Sequence, residues 1–293
     1  MSKQSFHQKL DRWLDHQEEQ AALIPIIQEI RKDHPKMSAR KMYEKLQLET
    51  MGRDRFESFC FSLGLQVSRP RNFRKTTDST GVERFPNLIE GSEVTGVNRI
   101  FVSDITYYEM NGRFYYLTLI TDLYSREIVG YSKSTSLRTA ETSLPALKMM
   151  VRNIGREKLR GAIFHSDGGG QFYAKDFLKL TTTLSMKNSM AKLVYDNSHA
   201  ERINGIIKNE YLISYNPQNE SELASELKRA VHHYNHGRPH RSLHGLTPVE
   251  FRMQNTGNPM YIKKIKTTIE VENNFPSYFP TSTVHHHHHH EYV

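Results

Sequence analysis

Two runs of β-branched and aromatic residues, Arg99 to Met110 and Arg113 to Tyr124, flank the dipeptide Asn111-Gly112. Asn-Gly is the strongest short signal for a two-residue hairpin, because both turn positions need positive φ. A long antiparallel hairpin is therefore expected, and a sheet must grow from it. Glu127 to Ser134 reads as a third strand. Thr139 to Ile154 then reads as an amphipathic helix, with Ala140, Leu144, Leu147 and Val151 on one face. Gly161 to His165 reads as a short buried strand, Tyr173 to Leu184 as a helix, Ser185 to Met190 as a short strand, and Ser198 to about Leu212 as a helix. Three antiparallel strands followed by helix, strand, helix, strand and helix make a mixed five-stranded α/β sheet with flanking helices. The pattern permits that topology without forcing it.

The hairpin does not begin the chain. Ala22, Leu23, Ile26, Ile27 and Ile30 recur at helical spacing, and His34-Pro35 ends that helix. Ser38 is placed to cap a second helix containing Met42 and Leu46. A third begins near Arg53, carries Phe56, Phe59 and Leu63, and stops at Gly64. Three short helices with a turn at Met51-Gly52 suit a helix-turn-helix module or a generic three-helix unit. Residues 1–66 are thus expected to be a small all-helical domain. Residues 67–98 read as an extended basic linker, with Arg69, Arg71, Arg74 and Lys75 between Pro70 and Pro86. The sheet domain occupies 99–254. It includes a helix from Glu220 to Asn235 and a last short one capped by Thr247 with Pro248 at its first position. Residues 255–293 form a basic tail around Lys263, Lys264 and Lys266. The run His285 to His290 looks like a purification tag.

Lys and Arg number 40 against 32 Asp and Glu, a formal net charge of +8. That balance favours a polyanionic partner, chiefly nucleic acid. Cys60 is the sole cysteine, which excludes a disulfide framework and a cysteine zinc site. No signal peptide and no membrane-length apolar run is found, so a cytoplasmic protein is expected. His232, His236, His240 and His244 recur every fourth residue. Gly237 and Pro239 break the helix that would align them on a metal.

The chemistry is carried by three carboxylates. Asp104 lies in the alternating run Ile100, Val102, Asp104 and would share a face with apolar neighbours, where a carboxylate needs a metal or a partner. Asp167 closes a short strand and meets Gly168, Gly169 and Gly170, which remove Cβ bulk where another backbone must come close. Glu201 stands on the first turn of a helix whose same face would carry Asn204, Lys208 and Tyr211. Clustered hard oxygen ligands suit Mg²⁺ and phosphodiester chemistry at a two-metal site. Singly, each has an ordinary structural reading: an ion-paired strand Asp, a turn Asp capping a helix, an exposed helical Glu.

Taken in order, certain words add up to more. They are Val102-Ser103-Asp104-Ile105-Thr106, the stretch Asp122 to Gly130, His165-Ser166-Asp167-Gly168, Tyr195-Asp196-Asn197, Tyr234-Asn235, Arg238-Pro239-His240 and Leu246-Thr247-Pro248. From about Ala21 to Gln254 the chain resembles the Asp-Asp-Glu transposases of the insertion-sequence-three group, second open reading frame, in the retroviral-integrase superfamily. The resemblance implies a ribonuclease H-like core preceded by a helix-turn-helix. It implies Asp104, Asp167 and Glu201 as catalytic metal ligands for two Mg²⁺ ions, with Mn²⁺ as a substitute, and Lys208 as the basic residue after the Glu. The interval from Asp167 to Glu201 is shorter than the group's, with the shortfall around Ala191 to Val194.

The implied activity is metal-dependent cleavage at the ends of an insertion sequence, followed by strand transfer from the freed 3′-OH. Lys208, Arg202 and Asn204, with Arg69, Arg71, Arg74 and Lys75 in the linker, are expected to contact DNA. Terminal inverted repeats and target DNA are the expected partners, bound by a homo-oligomer near the nucleoid. A separate upstream protein is common in the group. Two other readings stay open at this point: a nuclease of the same fold that cuts without joining, and a non-catalytic DNA-binding regulator of transposition.

Overall fold

The protein is described from a computed structural model covering residues 2–67, 85–191, 197–257, 261, 263 and 264. Helices α1 (Lys3–Asp33), α2 (Ala39–Leu46) and α3 (Arg53–Ser62) come first, then a two-residue strand β1 (Glu93–Val94). Strands β2 (Ile100–Met110), β3 (Arg113–Asp122) and β4 (Ile128–Ser134) lead to α4 (Ser143–Ile154) and α5 (Arg156–Leu159). Strand β5 (Ile163–Ser166), α6 (Lys175–Thr183), β6 (Lys187–Met190) and α7 (Ser198–Ile206) follow. A π-helical turn, Ile207–Leu212, carries α7 into α8 (Ile213–Tyr215), and α9 (Glu220–Gly237), α10 (Pro248–Asn255) and β7 (Lys263–Lys264) complete the order.

The hairpin forms as its turn requires. Asn111 and Gly112 have φ of 52° and 74°, and Met110 pairs with Arg113. The five strands lie in the order β4-β3-β2-β5-β6. The first three are antiparallel, whereas β5 runs parallel to β2 and β6 parallel to β5. Alternation along β2 divides its residues between two layers. Phe101, with Ile120 and Val129, packs under α4 and α6 through Leu147, Met150 and Phe177. Ile100 and Val102 face the other way, toward Ala200 of α7 and Phe251 of α10. Leu117 and Leu119 of β3 meet Ile203, Tyr211, Leu227 and Tyr234 on that same side. Both faces are covered, as a mixed sheet with helical crossovers demands.

Local chemistry sets the helix ends. Thr247 and Glu250 form a capping box, each side chain bonded to the other's backbone N–H, and Pro248 occupies the first position. Helix α4 starts at Ser143, later than the expected Thr139. Pro145 has no N–H to give and fits only a first turn, and the chain before it closes a separate turn through Thr142 and Arg138. Its buried face is accordingly Ala146, Leu147 and Met150.

In the N-terminal region Ser38 and Arg53 open α2 and α3 as read, and Gly64 follows with φ of 73°. Leu23, Ile27, Met42, Phe56 and Phe59 form a separate apolar cluster. Helix α1 corrects the reading. It runs from Lys3 through Pro25, far beyond the expected helix, and Ser2 accepts from Ser5 N at its start. Residues 3–22 bury none of their side chains fully, so burial periodicity had little to report there.

The helical region rests on the core. His34 Nδ1 and the Tyr211 hydroxyl share a 2.7 Å hydrogen bond, Lys45 donates to Gly237 O at 3.2 Å, and Arg229 donates to Lys32 O and Asp33 Oδ1. The extended linker also needs correction at its C-terminal end. Residues 85–98 pack on the sheet: Ile89 and Val94 are buried, β1 pairs with β7, and Leu88 N donates to Ser189 Oγ. Arg69, Arg71, Arg74 and Lys75 lie outside the described residues. Among those described, no helix is long and apolar enough to cross a membrane.

Two outcomes follow. Ile89→Ala should cost about 2–5 kcal/mol, as for a core aliphatic, measured by denaturant unfolding of the full chain. A change within about 0.5 kcal/mol, as at an exposed site, would make this segment a tether. The second concerns acid. Burial holds His34 at a pKa of about 3 and His240 at about 2. Below the ordinary value of about 6.5, then, only the unfolded chain takes up these protons. Stability should fall as pH drops from about 6.5 toward 3, by up to about 1.4 kcal/mol per pH unit for each imidazole. Asp122, which burial pushes up to about 6, opposes part of this below pH 6. A melting temperature unchanged from pH 7 to pH 4 would contradict the sign.

Candidate active site

Strand register sets the two aspartates on neighbouring parts of the sheet. Val102 of β2 is level with His165 of parallel β5; Asp104 lies two residues on in β2, and Asp167 follows the last residue of β5. Asp104 is 5% exposed and lies on the face of β2 that meets α7. Asp167 is half-buried in the turn that follows, where its Oδ1 accepts from Gly169 N at 2.9 Å. Gly168 has φ of 82°, and a Cβ there would lie 2.3 Å from Met190 Cε. Gly168 is thus required by its conformation, whereas Gly169 and Gly170 have no positive φ, and a Cβ on Gly170 would make only ordinary contacts.

Glu201 is half-buried on the first turn of α7. That turn is pinned to the strand carrying Asp104: Asn197 Nδ2 donates to Ser103 O at 3.0 Å. His165, fully buried behind the site, bonds Ser189 Oγ at 2.8 Å and ties β5 to β6. Tyr195 and Asp196, and the shortened interval at 192–194, lie outside the described residues.

The face of α7 read from the sequence is only partly open. Asn204 is 4% exposed, and neither of its amide atoms has a hydrogen-bond partner among the described residues. Tyr211 is 1% exposed and belongs to the core. The π-helical turn changes the phase of the helix here. Lys208 lies on it and reaches across to β2, donating to Thr106 Oγ1 at 2.8 Å and Tyr107 O at 3.1 Å, 5.0 Å from the Tyr107 ring centre. Burial lowers its pKa, and Asp104 nearby raises it. The lysine is therefore docked beside Asp104. Arg202 is exposed and makes no ion pair among the described residues.

The residues fit hard cations better than zinc. The donors at hand are carboxylate oxygens, with the unpartnered amide of Asn204 one turn from Glu201. Among the described residues no three His, Cys, Asp or Glu side chains are gathered tightly enough to hold a metal ion. The histidine series diverges: His232 and His236 stack at 4.6 Å on α9, His240 packs on Tyr234, and His244 stacks on Tyr261.

The sequence reading passed over Asp122, Arg126 and His199. Asp122 is buried and accepts from Asn98 N, Tyr124 N, Ser125 N and Ser125 Oγ, which makes it the organiser of the β3–β4 turn. Arg126 contacts His199 at 2.9 Å. Burial and the cations Arg126 and Arg202 hold His199 at a pKa of about 3. Asp122 and Arg126 both sit within one of the ordered words, which was the available signal.

Known proteins are similar to this chain in sequence and fold. An integrase core domain family matches residues 94–193, and a second family of that description matches residues 185–248. The 31 kDa protein of insertion element IS600 from Shigella sonnei is 33% identical over 207 residues, which cover 69% of this chain and 75% of that protein. The transposase InsF for insertion sequence IS3A of Escherichia coli (strain K12) is 29% identical over 202 residues, 66% of this chain and 67% of that one. The fold of the simian T-cell lymphotropic virus intasome, solved with a PP2A regulatory subunit B56 gamma, covers 76% of this chain and 77% of the matched chain, with a TM-score of 0.50 and 16% identity. The chain belongs to the insertion-sequence-three group of transposases in the retroviral-integrase superfamily, enzymes of DNA transposition with a metal-dependent integrase core.

Proposed function

We propose that Asp104, Asp167 and Glu201 are the catalytic carboxylates and hold two Mg²⁺ ions, for which Mn²⁺ substitutes. What supports this is the parallel pairing of Val102 with His165, two residues before Asp104 and Asp167 respectively, with the first turn of α7 fastened to Ser103. Such ions would supply Lewis acidity to an attacking oxygen and to the leaving oxygen of a phosphodiester. The chain's own part is positional. The register of β2 and β5 sets the spacing of two carboxylates, Gly168 lets the chain turn tightly after Asp167, and Asn197 holds Glu201's helix against β2. Lys208 places a cation beside Asp104, where a DNA phosphate at the ligands would run past it.

The reaction is cleavage at the ends of an insertion sequence, then attack of the freed 3′-OH on a second phosphodiester. The helices before residue 67, with Arg69, Arg71, Arg74 and Lys75, read the terminal inverted repeats and track their backbone. The enzyme works as a homo-oligomer on nucleoid DNA in the cytoplasm, with an upstream open-reading-frame protein as a further partner.

Asp104→Asn, Asp167→Asn and Glu201→Gln should each reduce cleavage and joining to background while leaving DNA binding largely intact. A variant that still joins pre-cut ends in Mg²⁺ at the parental rate removes that residue from the triad. Cutting without any joining would make the enzyme a nuclease. Strong activity in Zn²⁺ with none in Mg²⁺ would refute the oxygen-ligand site.

Lys208→Glu should slow joining strongly, since it sets a like charge against both Asp104 and DNA. Lys208→Ala should cost less, and its loss should shrink at low salt, where other cations bind the backbone more tightly. Equal joining by Lys208→Glu and the parent at moderate salt would remove the lysine from the DNA path.

A further inference from the structure

The helix that carries Glu201 does not stay regular. Past Ile206 it widens into the π-helical turn Ile207–Leu212 before α8 resumes. Such turns are rare and collect at functional sites. The widening has a geometric effect. An α-helix advances about 100° per residue, and a π-helical turn advances less. Residues on its two sides are therefore out of phase with a regular helix, and both ends must be held at that phase.

The sheet holds the upstream end. Asn197 Nδ2 donates to Ser103 O, and Ala200 packs with Ile100 and Val102. At the downstream end the core contributes the pair Glu210–Arg238 and the buried side chains of Ile207 and Leu212. The N-terminal region contributes the rest. Tyr211 in the turn and Tyr215 just after it lie edge to face, with ring centres 6.0 Å apart. Both hydroxyls grip the end of α1. Tyr211 shares the 2.7 Å bond with His34 Nδ1, and Tyr215 donates to Asp33 O. His34 and Tyr211 are both buried, so water does not replace their bond. Gly237 of α9 makes room for the imidazole: a Cβ there would lie 2.6 Å from His34 Nε2. Arg229 of α9 stands 4.0 Å from the centre of the Tyr215 ring and donates to Lys32 O and Asp33 Oδ1.

Lys208 lies inside the turn, between the two anchored ends. Its ammonium reaches Thr106 Oγ1 and Tyr107 O on β2. Thr106 is two residues past Asp104 and so on the same face of the strand. A regular α-helix with Glu201 in place would swing Tyr211 away from His34. A helix released from His34 would regain its regular bonds, and Lys208 would turn with it. We propose that His34 and Tyr211 are positioning residues for Lys208: their bond, with that of Tyr215 to Asp33, holds the π-helical turn in the phase that docks the lysine on β2. The N-terminal region thereby sets a group at the catalytic face. This inference rests on the reading of Lys208 as a cation beside the DNA path, and it adds what holds the lysine there.

The test is chemical labelling of the full chain, without DNA or metal, by limiting acetic anhydride. The rate at each lysine is read by peptide mass spectrometry, with Lys148, exposed on α4, as internal reference. The variants are Tyr211→Phe, the Tyr211→Phe/Tyr215→Phe pair, and Leu184→Ala. Tyr211→Phe removes one oxygen and keeps the ring in the core. Leu184 is buried under the opposite face of the sheet, so its variant reports general loosening. A docked amine reacts in proportion to the population in which its dock is open. Loss of one hydrogen bond shifts that equilibrium by roughly three- to tenfold. Relative to Lys148, Lys208 should label faster by that factor in Tyr211→Phe and faster again in the pair, with little change in Leu184→Ala. Parental labelling of Lys208 in the pair would overturn the proposal. So would an equal rise in Leu184→Ala, which would make the contact one of stability alone. Labelling that rises in Tyr211→Phe while joining keeps the parental rate would uphold the positioning and remove Lys208 from the DNA path.

Discussion

The parallel pairing of β2 with β5 decides where the chemistry can sit. A parallel neighbour cannot be reached by a tight turn and needs a crossover, here the segment running through β4, α4 and α5. That crossover brings the start of β5 beside the start of β2; β5 ends at Ser166, whereas β2 runs on past Asp104 to Met110. Helix α7 comes back over the face of β2 that carries Asp104. Every other feature of the site supports this meeting: the glycine turn after Asp167, the Asn197 bond to Ser103, and the apolar contact of Ala200 with Ile100 and Val102.

Charge distribution complements that geometry. The core tolerates buried cations near α7, where apolar packing alone would be cheaper. Arg238 is compensated by Glu210, and Arg126 is bonded to His199, whereas Arg202 is exposed. Docked lysines follow the same logic on the other flank: Lys208 is held by Thr106 and the Tyr107 carbonyl. These cations lie on both sides of α7, an arrangement suited to a polyanion.

Much of this was legible in the residues. Asn111-Gly112 identifies a hairpin because few other dipeptides accept two positive φ values, and the alternation of Ile100, Val102 and Asp104 places the aspartate on the helix-covered face. The Thr247 cap and Pro248 start were readable for equally local reasons. What was not legible depended on distant contacts. Asn204 and Tyr211 were placed on an open face because a regular helix puts them there; the π-helical turn and the packing of α9 bury them. Residues 85–98 read as a linker because their few apolar residues follow no helical or strand period and continue a basic, polar stretch. The pockets of Ile89 and Val94 are made by residues distant in sequence, Leu123, Tyr124, Ala200, Leu243 and Phe251, and β7 adds only the backbone pairing to β1. The first twenty residues of α1 bury almost nothing and so lack the burial pattern by which the rest of the helix was recognised.

The central claim is that Asp104, Asp167 and Glu201 share one metal site. The most direct measurement is anomalous scattering at the manganese edge from crystals of the full chain grown with Mn²⁺. Density between the carboxylates of Asp104 and Asp167, with a second peak toward Glu201, is the expected result. Manganese bound only elsewhere, at the stacked pair His232 and His236 for example, with no density at the aspartates, would contradict the account.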